Sequence, residues 1–340
     1  MPTNFKKSYA NSRQKVHNFK VRRPHRSFRL TKRRDYKRSL ELPGLWAFTA
    51  QVNQTLWVQR KLFLLLALVY ALATVALVGL GSQDTYSDLS TSLGETGQQV
   101  FEGDWSQIGQ AGILFAAIAT GGLSETPTQT QQIYAGILAL LVWLTTVWLL
   151  RGILAGHKLK LRDGLYSAGA PIVATFLIVL VGVVQLLPLG LAIFGYYAAA
   201  TSGVLAGGVA AMLFWFAASL LAILSLYWLT STFLAAIIVT LPGMYPMKAL
   251  RMAGDMVVSR RLRILLRVLW MFLCIVVAWA VVLIPFILVV TWLQDVWVWF
   301  ASVPVIPVVL LALGTMTVVW AASYIYLLYR KIVDDDALPA

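Results

Sequence analysis

Six stretches of this chain carry no charged side chain over a length that can cross a bilayer: 62–80, 133–150, 172–198, 207–240, 268–293 and 305–329. A hydrocarbon core of about 30 Å takes roughly 20 residues of helix. The first run has 19 residues, or about 28 Å at helical rise. Backbone amides inside lipid have no water to bond, so such runs must satisfy them internally as helices. The expected fold is therefore an all-α polytopic transmembrane bundle of six spans. The composition points the same way. Only 12% of residues are charged and 59% are hydrophobic, whereas a soluble domain carries about a quarter charged residues.

The basic residues set the orientation. Cytoplasmic flanks retain Lys and Arg, while acidic residues carry little topological information. Sixteen of the 28 lie before Leu62, four at 151–162, six at 248–267 and two at 330–331, which accounts for all of them. With six spans these four groups fall on one side and none falls on the other. A missed span would exchange the sides of every later segment and destroy the separation. Both termini are thus expected in the cytoplasm, with all 28 basic residues on that face.

Three further segments follow from this threading. Residues 1–61 read as a basic, largely disordered cytoplasmic tail, because the first forty or so positions hold too few apolar groups to offset the entropy of ordering. The leader before the first span is long for a cleavable secretory signal, so an uncleaved anchor is the favoured reading. The outward segment 81–132 has no Lys or Arg and carries Asp84, Asp88, Glu95, Glu102, Asp104 and Glu125. Its apolar part, 108–120, is too short to span and reads as an interfacial or re-entrant helix. The last segment is a nine-residue tail, 332–340, whose charges are Asp334, Asp335 and Asp336.

Two runs depart from a plain span. Pro188 lies inside the third and is expected to bend it, since proline removes a backbone donor and crowds the preceding turn. The fourth has 34 residues, about 51 Å if wholly helical, so it tilts strongly or projects into the cytoplasm. After it, Pro246 opens a short helix with Met247, Leu250, Val257 and Val258 on one side and Lys248, Arg251 and Asp255 on the other. That pattern predicts a short cytoplasmic amphipathic helix on the membrane surface.

Chemistry is harder to find. Charged groups buried in a span usually mark a proton or ion path, and none of the six runs holds one. Gln185, three residues before Pro188, is the strongest intramembrane polar candidate, either for a neighbouring helix or for the carbonyl that proline frees. His17, His25 and His157 do not converge with Cys or carboxylates, and the outer acidic pairs do not match a calcium loop. No catalytic, cofactor or metal residues are assigned. Cys274 sits in an apolar run as a small core residue. Gly203, Gly207 and Ala211, spaced by four, allow a close helix approach near the outer end of helix four.

The expected partners are membrane lipids, above all anionic headgroups. Each Lys or Arg near an anionic leaflet contributes about 1 kcal/mol. The candidate contacts are Arg22, Arg23, Arg33 and Arg34 in the tail, with Lys248, Arg251, Arg260, Arg261 and Arg263 before the fifth span. Nucleic acid is disfavoured, because the tail has sparse aromatics and no folded RNA-binding motif. A membrane-protein partner or a second copy of the chain is the other expected contact.

The stretch Phe233 to Trp270, FLAAIIVTLPGMYPMKALRMAGDMVVSRRLRILLRVLW, resembles an element of the membrane domain fused to some glycerophosphoryl diester phosphodiesterases and of related six-helix bacterial membrane proteins. A long helix exits to a proline, an "AL" surface helix and a basic re-entry, here Pro246, Ala249, Leu250 and Arg260 to Arg263. The likeness covers little more than a tenth of the chain. It implies a fold and a location in the bacterial cytoplasmic membrane, not catalysis, since the soluble barrel with the metal site has no counterpart in this sequence. The expected function is a non-enzymatic membrane or envelope factor acting through helix and lipid contacts. The alternative is a permease component for an uncharged solute, lined by Gln185, Ser202, Ser219, Ser225 and Thr230.

Overall fold

The computed structural model describes residues 42–79, 128–202, 205, 207–258, 260–297 and 305–337, and among these the chain forms nine α-helices and no strand. Six helices are long and apolar enough to cross a membrane: Arg60–Leu77, Gln129–Leu154, Ile172–Thr201, Gly208–Ile238, Arg261–Ile287 and Val305–Asp334. Each contains or closely overlaps one of the six uncharged runs. The outward segment 81–132 lies outside the described residues up to position 127, and so does the C-terminal tail from 338.

Helix α1, Leu45–Val58, falls inside the segment expected to be a disordered tail. That expectation is corrected from residue 45 onward. Phe48, Val52 and Leu56 recur at helical spacing and are buried, while Gln51, Asn53 and Gln54 face out. A one-residue break at Gln59 separates α1 from α2, Arg60–Leu77. Residues 1–41, with the tail arginines, lie outside the described residues.

Helix α3, Gln129–Leu154, starts four residues before the uncharged run. Its start is fixed by a reciprocal cap: Gln131 N donates to Thr128 Oγ1 at 3.3 Å, and Thr128 N donates to Gln131 Oε1 at 2.8 Å. It ends at Gly156, whose φ of +83° suits the left-handed position of a helix C-terminus. There Gly156 N donates to Ile153 O and His157 N to Gly152 O, closing two otherwise open carbonyls. The basic turn that follows contains a short helix, α4, Leu161–Ser167. Gly164 lets α4 lie against α3, since a Cβ there would stand only 3.0 Å from Leu149.

Helices α5, Ile172–Thr201, and α6, Gly208–Ile238, pair with each other more extensively than any other two elements. Helix α7, Pro246–Val257, begins on its proline after a turn in which Gly243 takes φ +72°. Its inward stripe is Ala249, Ala253 and Val257, all fully buried, whereas Met247 is 59% exposed. Val257 of the expected apolar side is thus joined in the core by Ala249 and Ala253. Small side chains four apart let α7 come close to α6, its main partner, and the larger Met247 is left outside. Helix α8, Arg261–Val296, contains Pro285, and α9, Val305–Ala337, completes the chain.

Helix α9 is the hub, packing against α1, α2, α3, α6 and α8. Val319, Ala322, Tyr324, Ile325, Leu328 and Ile332 on it are all fully buried. One apolar cluster joins them to Phe48, Leu66, Leu149, Ile238, Ala253 and Ile264. A smaller cluster, Trp279, Leu283, Val290, Ile306 and Leu310, zips α8 to the early turns of α9.

Candidate functional site

The basic residues of the described chain gather where several helix ends meet. Arg151, in the last turn of α3, donates to Thr240 O at 3.1 Å and to Thr240 Oγ1 at 2.6 Å. It thereby caps the end of α6, where open carbonyls and the negative end of the helix dipole favour a cation. Arg261, opening α8, sits 3.9 Å from the centre of the Tyr227 ring and donates to Tyr227 O at 3.3 Å. This places the start of α8 beside α6 well before its end, with α7 bridging the difference. Among the other candidate lipid contacts, Lys248, Arg251 and Arg263 are exposed, while Arg260 is only 2% exposed. Arg260 is therefore part of the packed junction, with its surface neighbours carrying the accessible charge.

Arg267, which the sequence reading counted only as a topological charge, is, among the described residues, the most enclosed of the cations after Arg260, at 8% exposed. Its Nη2 donates to Pro43 O at 2.6 Å, and its guanidinium lies 5.4 Å from the Phe48 ring. Around it α1 is held by two indoles. Trp270 Nε1 donates to Thr49 Oγ1 at 3.0 Å, and Trp320 Nε1 donates to Asn53 Oδ1 at 2.8 Å. Phe48 meets Tyr324 edge to face, ring centres 4.8 Å apart. The signal for this site was present: Arg267 alone of the four arginines is embedded in an apolar stretch, LLRVLW.

The intramembrane polar residues satisfy one another across α5 and α6. Thr232 Oγ1 donates to Gln185 Oε1 at 2.6 Å. Leu189 N, just after Pro188, donates to Ser225 Oγ at 3.0 Å, so the neighbouring helix supplies a polar partner beside the proline. The other residues of the solute path do not converge with these. Ser202, Ser219 and Thr230 each turn their hydroxyl onto a carbonyl of their own helix, with Ser219 exposed and Thr230 buried. Deeper in the bundle Tyr70 Oη and Thr145 Oγ1 share a 2.9 Å hydrogen bond between α2 and α3.

Among the described residues no group of three His, Cys, Asp or Glu side chains is placed to hold a metal ion. Comparison with known proteins finds no family model, no curated protein and no solved structure that matches the chain. The functional reading therefore rests on the molecule's own geometry and charge.

Proposed function

We propose that this protein is a non-enzymatic integral protein of the bacterial cytoplasmic membrane, with both termini inside, acting through helix contacts and through anionic lipid at its cytoplasmic face. One observation carries the reading: all 28 Lys and Arg fall into four segments that six spans bring to a single side. Packing supports it. Leu42, Leu154, Leu159, Val257 and Ile264, drawn from three of those segments, and Ile332 beside the fourth belong to one apolar cluster or pack on it. Lys248, Arg251 and Arg263 are exposed among these segments. The short helix Pro246–Val257 carries two of these cations outward, at the level expected for headgroups.

The test is co-flotation of the full chain, held in phosphatidylcholine nanodiscs, with vesicles of phosphatidylglycerol or of phosphatidylcholine. Salt-sensitive binding to the anionic vesicles alone is expected. Replacing Arg22, Arg23, Arg33 and Arg34 together by Gln should weaken it at least about tenfold, at about 1 kcal/mol per charge. Equal binding to both vesicle types would refute the lipid reading. Saturable uptake of a neutral solute by reconstituted protein would put a permease in its place.

A further inference from the structure

Helix α1 has three sides, of which packing and hydration explain two. Phe48, Thr49, Val52 and Leu56 face the bundle and are buried. Ala47, Gln51, Gln54 and Val58, spaced by four, three and four, form an exposed side with two amides. Trp46, Ala50, Asn53 and Trp57 repeat that spacing on a third side, which is also exposed. The two indoles at its ends are 75% and 69% exposed. Each polar side chain outside the glutamine side already has a hydrogen bond. Asn53 Oδ1 accepts from Trp320 Nε1 at 2.8 Å. Thr49 Oγ1 accepts from Trp270 Nε1 and donates to Leu45 O at 3.0 Å, and Thr55 Oγ1 donates to Gln51 O at 2.8 Å. No charged residue lies between Leu45 and Val58. The tryptophan side can therefore leave water without stranding a hydroxyl.

The level at which α1 sits narrows the occupant of that side. Pro43 O, just before the helix, accepts from Arg267, the last base before the uncharged run 268–293. Past its other end, Arg60 and Lys61 are the last bases before the run 62–80, and the Arg60 guanidinium stands 5.1 Å from the centre of the Trp57 ring. Both ends of α1 thus stand where a charged flank gives way to an apolar run. Its 14 residues, about 21 Å of helix, lie along that border. Between the ends, Phe48 meets Tyr324, which is five residues inside the end of the run 305–329, or about 8 Å at helical rise. An interfacial helix sinks its apolar side roughly 5–10 Å into the boundary between headgroups and acyl chains. Indoles favour the same level.

We propose that α1 is an in-plane membrane anchor: its side of Trp46, Ala50, Asn53 and Trp57 is seated in the lipid of the leaflet on the basic side of the molecule, with Gln51 and Gln54 toward water. The inference rests on the lipid reading given above and adds an apolar contact to the charge-driven one. Two terminal indoles with a guanidinium beside one of them fit a lipid boundary, the rings against the acyl chains and the cation among the phosphates. The anchor holds the junction between the basic tail and the bundle at a fixed depth.

The experiment uses the full chain with Cys274→Ser, carrying a nitroxide on a single cysteine, Ala50→Cys or Gln54→Cys, in phosphatidylcholine liposomes. Both positions are exposed, so neither label enters the core. Power saturation reads access to oxygen, which concentrates in acyl chains, and to a neutral nickel chelate, which stays in water. Oxygen is expected to be the better relaxant at position 50 and the chelate at position 54. Equal access of the chelate to both overturns the anchor. So does a label at 50 shielded from both reagents, which would mean that a second copy or another protein covers that side. Because the side is uncharged, the inversion should be the same in phosphatidylglycerol liposomes; inversion there alone would make α1 a follower of the basic tail and overturn the anchor. The fourfold tail variant separates the two claims. If it keeps its binding to anionic vesicles while the inversion persists, the charge reading fails and the anchor stands. A lost inversion with charge-dependent vesicle binding intact does the reverse.

Discussion

The α9 hub and the α5–α6 hairpin are built from similarly apolar sequence but stand in opposite relation to the rest of the molecule. On α9, Val319 to Leu328 is almost wholly enclosed by α1, α2, α3, α6 and α8. Along the hairpin, Phe194, Met212 and Val209 are each more than 70% exposed, and each of the two helices has the other as its main neighbour. In water such exposure would drive collapse. In lipid it does not, because acyl chains are as apolar as leucine and helix association depends on packing and hydrogen bonds instead. Apolarity therefore places both regions in the bilayer, and shape alone decides which becomes a core.

The largest break in this symmetry is expected at Phe48. Phe48→Ala should destabilise the protein by about 3 kcal/mol, the low end for a buried phenylalanine, because the ring seals Tyr324 and Arg267 together. Phe194→Ala on the hairpin should change stability by no more than about 0.5 kcal/mol. Both are read from denaturant unfolding in detergent micelles. Equal effects would mean that the hub is not the stabilising core.

Close approach provides the next contrast. Ala249 is fully buried where α7 meets α6, so Ala249→Leu should cost about 2 kcal/mol through overpacking. Ala217, exposed on the hairpin, should accept leucine without measurable loss in the same assay.

Much of the scaffold was legible in the sequence, and its edges were not. Uncharged runs mark the hydrocarbon depth, but helices stop where caps are found. That is why α3 starts at its Thr128–Gln131 cap, before the run begins, and ends at Gly156, after it. Helix α1 escaped because its polar face carries Gln and Asn, with no charge contrast, and because it follows a tail whose basic residues dominate the composition. The buried alanines of α7 were missed for a related reason: hydropathy ranks Met247 above Ala249, whereas the close approach to α6 selects the smaller residue. At the candidate site, the surface cations were readable as a group. The distinction between exposed Arg263 and enclosed Arg267 depends on α1, which was not foreseen.

Polar ties should separate the regions by smaller amounts. Arg151→Gln removes a charged cap from the end of α6, and about 1.5 kcal/mol of stability should go with it. Within the hairpin, a double-mutant cycle on Gln185→Leu and Thr232→Val should return a coupling near 0.6 kcal/mol, the usual size for a hydrogen bond between membrane helices. A coupling of several kcal/mol would show that the hairpin is held by polar contacts rather than by packing.

The central claim is that one face of the molecule holds every cation, and accessibility labelling reaches it most directly. In a Cys274→Ser background, single cysteines at Lys158, Arg251 and Ser106 are exposed in intact cells to a maleimide that cannot cross the membrane. The account predicts modification at position 106 alone, with positions 158 and 251 reacting only after the cells are opened. Labelling of 158 or 251 from outside would contradict the threading and every assignment built on it.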